Sequence, residues 1–280
     1  MPVESRAPGG AWPARNGRPT NLQLDGTMKI IINCDDLGAS VRVNNCIFEL
    51  MEDRRVTSAT MMMNGPAVED AARQIGKYPG CSFGVHLNLT EFAPLTSHPG
   101  LRPLLNAKGE FAGVGRRSPR NIPLNAAIRE GVYAEWCAQM ERARALGVPV
   151  SHLDSHHHVH TRFSLLPVLK RVQQEFGIGK VRIRKSVVSL AQPVRLPRRM
   201  KNAVWNFLLR KYAGTTTTTG FMAFMAYYER LQAGLGGQGI IELMCHPGGQ
   251  WFGAEAQLLW GDWRSRLAPD AQLINYNELN

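Results

Sequence analysis

The sequence predicts an α/β protein with a parallel sheet, either a (β/α) barrel or a doubly wound sheet, and three observations carry that prediction. Short unbroken apolar runs such as KIIINC at 29–34 read as strands buried on both faces. Segments with helical apolar spacing alternate with those runs, which is the pattern of βα units joined by right-handed crossovers. Ionisable residues then cluster just after the apolar runs, where parallel α/β sheets collect their ligands.

The elements follow in order. Lys29–Cys34 is the first strand, and Asn44–Arg54 carries helical spacing through Ile47, Leu50 and Met51. Thr57–Met63 is a second strand closed by Asn64, Gly65 and Pro66, with Ala67–Ile75 a second helix and Cys81–Asn88 a third strand. The Pro- and Gly-rich stretch 91–123 reads as a long functional insertion. Ala126–Leu146 is helical, and Gly147 and Pro149 end it before a strand at Val150–His156. A helix at Leu165–Phe176, a strand at Lys180–Lys185 and a last strand at Ile240–Cys245 complete the pattern, with TTTTT at 215–219 read as a solvated loop. Residues 1–27 are rich in Pro, Gly and Arg without the apolar core of a secretory signal. They read as a disordered tail ahead of one domain at 28–280, with Met28 an alternative start to Met1.

Composition narrows the function classes. Hydrophobic content of 44% suits a globular chain, and no window approaches a membrane-spanning run. Five cysteines without CxxC spacing argue against a disulfide framework and against a thiolate zinc site, which points to the cytoplasm. Cys34 and Cys245 read as small buried apolar residues. The net charge of +11 is concentrated, since thirteen Lys and Arg lie between Arg162 and Lys211 against Glu175 alone. Such a surface needs an anionic partner: a membrane, a phosphate-bearing substrate or nucleic acid.

Four strand ends carry the chemistry: NCDD, GVHLN, HLDSH and MCHPG. Alternation puts Gly84, His86 and Asn88 on one face of their strand, and His152, Asp154 and His156 on one face of theirs. Asp35 and Asp36 are adjacent, so their side chains are expected to diverge and to take different roles. One carboxylate and two imidazoles drawn from three strands make an open divalent site with room for water and substrate. A lone Asp pair is usually a solvated turn, but four such groups at successive strand ends are not. Arg182 and Arg184 share a face and are candidate substrate contacts beside His158.

The segments INCDDLG (32–38), VTSATMMMNGP (56–66), GVHLNLT (84–90), HLDSHHHVH (152–160) and ELMCHPG (242–248) resemble the YdjC-like carbohydrate deacetylases, which include chitooligosaccharide and hopanoid-associated types. The resemblance implies a (β/α) barrel-like fold and a divalent metal, magnesium or zinc. It implies Asp36, His86 and His156 as ligands, Asp35 as general base and His246 as general acid. It alone selects His156 over His152 and His158. The expected reaction is metal-dependent hydrolysis of the N-acetyl group of an amino sugar, on an oligosaccharide or a lipid-linked glycoside. The basic stretch around 195–211 departs from the family pattern. Its apolar residues Met200, Val204, Phe207 and Leu208 follow helical spacing, so 198–211 is read as a peripheral membrane contact, at the inner membrane, or as a helix packed on the barrel. A homodimer is a further expected partner. The rival readings are a glycoside hydrolase, which needs two carboxylates flanking its bond, and a nucleic-acid binder using 162–211, which lacks a recognition motif.

Overall fold

The computed structural model describes residues 27–280 apart from 116–117, 120, 187–194, 212–213 and 251–252. The tail expected at 1–27 lies outside the described residues but for Thr27. The elements run β1 (Lys29–Leu37), α1 (Val41–Glu52), β2 (Ser58–Met61), α2 (Val68–Gln74), β3 (Ser82–Leu87), α3 (Ala126–Ala145) and β4 (Val150–Ser155). They continue with α4 (Leu166–Phe176), α5 (Leu196–Lys211), β5 (Gly220–Ala223), α6 (Phe224–Gln232), β6 (Ile240–Cys245), α7 (Gly253–Trp260) and β7 (Gln272–Leu273).

All the strand pairings are parallel, in the order β4-β3-β2-β1-β6-β5, with β7 beside the start of β1. The sheet curls into a barrel-like form. Between its edge strands runs the segment expected as a strand at Lys180–Lys185, which keeps only two bridges, Val181 to Leu153 and Lys180 to Thr216. That pairing also corrects the reading of TTTTT as a solvated loop: Thr215, Thr217 and Thr218 are buried, and Thr217 and Thr218 hold the Arg210 guanidinium.

The two faces of β1 show why the barrel forms. Ile30, Ile32 and Cys34 pack outward into the main core with the helices, while Ile31 packs inward with Ile240, Ile274, Tyr276 and Leu279, plugging the barrel floor. Cys34 and Cys245 are free, buried register partners on β1 and β6. Above the plug lies a polar layer of Arg182, Glu242 and His152, all fully buried. Gly84 makes room for that layer, because a Cβ there would stand 2.6 Å from His152 Cε1. His152 in turn stacks on Tyr276 with ring centroids 3.5 Å apart. The carboxyl ends of β1, β3, β4 and β6 open above this layer.

Candidate metal centre

β1 presents its two aspartates in an unexpected way. In a regular strand they would point to opposite faces, but Asp36 has φ of 69° and the β1–β2 register slips between Cys34 and Leu37. The irregularity turns both carboxylates to one side. His86 Nε2 lies 3.3 Å from Asp36 Oδ1 and 3.9 Å from Asp35 Oδ2. The expected divergence is therefore replaced by convergence, and the difference in role comes from the partners.

Asp36 meets imidazoles. Its Oδ1 is also 2.8 Å from His156 Nδ1, and Asp36, His86 and His156 each offer a ligand atom within 4.8 Å of the others. None of these contacts is aligned as a hydrogen bond at Asp36 Oδ1, although that atom is buried. Donor atoms aimed at a common point without bonding one another fit a divalent cation. Burial opposes charge on Asp36, yet His156 and His86 hold its carboxyl well below the usual range. Burial likewise opposes charge on the imidazoles, but Asp154 and Asp35 push His86 up to about 10, and Asp36 and Glu91 push His156 up to about 9. Without a metal, protons supply the positive charge at this point.

Each of the two imidazoles has a carboxylate on its other nitrogen. Asp154 Oδ1 is 2.6 Å from His86 Nδ1, and Glu91 Oε1 is 3.3 Å from His156 Nε2. The Asp154 contact is a hydrogen bond, of the kind that fixes the ring orientation and tautomer of a metal-binding histidine, whereas His156 Nε2 is only near the Glu91 carboxylate. Asp154 was legible as a residue on the face of His152 and His156, but its pairing with His86 depends on the β3–β4 register, which sets them opposite each other. Glu91 follows the strand in a loop that Asn88 holds by donating to the Glu91 carbonyl, so strand periodicity gives no sign of it.

Asp35 meets a guanidinium. Arg182 donates to both of its oxygens at 2.7 Å, and Asn33 Nδ2 donates to Oδ1 at 3.0 Å. Burial opposes its charge, but Arg182, His86 and His246 hold Asp35 well below the usual carboxylate range. Arg182 also bridges to Asp154 Oδ2 at 2.6 Å and to Glu242 Oε1 at 2.7 Å. Arg182 is thus fully buried beneath the site and is not the substrate contact expected from the sequence. His158 stands edge-on to Phe221, whose ring lies over the Arg182 guanidinium. Arg184 is half-buried, its backbone paired with the Asn206 side chain on α5.

His246 closes the opposite side, with Nε2 at 3.9 Å from Asp35 Oδ2. The Glu255 carboxylate on α7 accepts from the His246 backbone N–H at 2.6 Å and sets its position. Burial lowers the His246 pKa below its ordinary value despite Asp35 and Asp36.

A parallel α/β barrel that gathers Asp36, His86 and His156 as a candidate cation site, beside an arginine-bound carboxylate and an imidazole, has the arrangement of a hydrolase. The family model for YdjC-like proteins matches residues 29–265, and the chain belongs to that family. A carbohydrate deacetylase of Halalkalibacterium halodurans is 36% identical over 223 residues, 79% of this chain and 85% of the relative. A carbohydrate deacetylase of Geobacillus stearothermophilus is 35% identical over 217 residues, covering 78% of each chain. In fold, the chain is similar to the crystal structure of an Enterococcus faecalis protein assigned to cellobiose-phosphate cleavage, with TM-score 0.68 and 21% identity over 90% of this chain and 99% of that one.

Proposed function

We propose that the protein is a divalent-metal hydrolase that removes the N-acetyl group from an amino sugar, releasing acetate and the free amine. The observation that carries this reading is the convergence of Asp36, His86 and His156 beside an Asp35 locked by Arg182. The carbohydrate deacetylase relatives support the substrate class. Two imidazoles and one carboxylate favour zinc over magnesium, whose preference is for oxygen ligands.

When bound at Asp36, His86 and His156, the metal would polarise the acetyl carbonyl and acidify water. Asp35 is the base: Arg182 keeps it ionised and fixes its direction, so it accepts the proton of the attacking water. An amine leaves an acyl carbon only if its nitrogen is protonated. His246, 3.9 Å from Asp35, is the group that delivers that proton. The proton that Asp35 takes from water passes to His246 and from His246 to the amine nitrogen, which leaves as the free amine while the acyl group departs as acetate, so no external acid is required. Asp154 holds the His86 imidazole in place.

The test is a mass-spectrometric screen of N-acetylated sugars, soluble and lipid-linked, with zinc or magnesium added. Loss of one acetyl with acetate release is expected. A new reducing end without acetate would replace this reading by glycoside hydrolysis.

A further inference from the structure

The helix α5 carries an apolar face that nothing in the described fold covers. Leu196, Met200, Val204 and Phe207 are 67%, 60%, 50% and 57% exposed, and they recur at helical spacing along one stripe. Trp205 and Leu209 on the opposite side are buried, with Asn206 binding the Arg184 backbone and Asn202 the Lys185 carbonyl. The stripe therefore points straight away from the barrel. It makes up half of the exposed large hydrophobic residues found among the described residues.

The charge beside the stripe selects its partner. Arg198, Arg199, Lys201 and Lys211 are exposed on the same helix, and Lys211 Nζ stands 5.7 Å from the Phe207 ring centre. Between Glu175 and Glu229 the sequence has no acidic residue at all. We infer that α5 is a docking face for an anionic lipid surface, its apolar stripe entering the acyl boundary and its cations meeting the headgroups. Nucleic acid would engage the cations but leave Leu196, Met200 and Val204 in water. A second copy would bring two cationic faces together, so like charges would oppose the pairing. Asn202 and Asn206 tie the helix to the 184–185 backbone, just past the Arg182 that holds Asp35. The docking does not depend on the proposed reaction.

The test uses the full chain, sedimented with vesicles of phosphatidylcholine alone or mixed with phosphatidylglycerol. Binding is expected only to the anionic vesicles and should be released by added salt. Met200→Gln with Phe207→Gln leaves the charge unchanged and should weaken binding about tenfold or more. Arg199→Gln with Lys201→Gln should weaken it roughly 30-fold. Both pairs are exposed, so the melting temperature should match that of the parent. Failure to bind anionic vesicles at low salt overturns the inference, as does a stripe variant that binds like the parent. Duplex DNA binding that persists in the stripe variant without vesicle binding would assign the surface to nucleic acid. A dimer dissolved by the stripe variant, again without vesicle binding, would assign it to a second copy.

Discussion

On the proposed reading, a metal would compete with protons for His86 and His156. At neutral pH the metal-free site keeps protons on His86, at about 10, and on His156, at about 9, because Asp154, Asp35 and Asp36 outweigh the burial of the rings. A metal must displace both protons, so binding should release about two and weaken about 100-fold for each pH unit lowered. Calorimetry in buffers of differing ionisation enthalpy measures that number, and release of none would contradict the site. Adjacent aspartates read as diverging because alternation is the rule of a regular strand, but the φ of 69° at Asp36 suspends it. The ligand types and strand ends were therefore legible, while the convergence of Asp35 and Asp36 was not. Arg182 shows the same limit, since its spacing placed it on a face with Arg184 but gave no sign that three carboxylates would enclose it.

The strands rich in apolar residues were legible almost to the residue, Ile240–Cys245 among them although Glu242 interrupts its run. β5, α6 and α7 were not, because β5 is only four residues long and α7 has apolar residues on all sides with no polar face to set a period. The segment at Lys180–Lys185 had a strand's composition but is held by only two bridges, and what fixes it is the buried charge of Arg182. Arg182→Met should strip the compensation from Asp35, Asp154 and Glu242 and cost about 3–5 kcal/mol in denaturant unfolding. A variant as stable as the parent would show that those carboxylates are protonated. Within α5 the two faces should differ sharply. Trp205→Ala should cost about 3–5 kcal/mol, and Met200→Ala should stay within about 0.5 kcal/mol.

For the molecule as a whole, the buried neutral histidines set the acid limit. Burial pushes His160 down to about 3 from 6.5, outweighing its hydrogen bond to the Arg182 carbonyl, which acts to raise it. Between those values the unfolded chain binds a proton that the fold refuses. The stability is therefore complete above about pH 6.5 and is lost as pH falls toward 3, by about 2 kcal/mol near pH 5. His152, also held well below its ordinary value by burial, acts in the same direction. In chelator the raised pKa values of His86 and His156 oppose this loss, so the check is the difference between proteins: the melting temperature should fall less from pH 7 to 5 in His160→Gln than in the parent. Among the described residues no helix is long and apolar enough to cross a membrane. If Asp36, His86 and His156 hold a metal while Asp35 moves the proton, bound metal and acetate release measured together in the parent, His86→Ala and Asp35→Asn will separate the two roles. His86→Ala should lose metal and activity together. Asp35→Asn should keep its metal while turnover falls about 10²- to 10⁴-fold. Full metal occupancy in His86→Ala, or metal loss in Asp35→Asn, would contradict these roles.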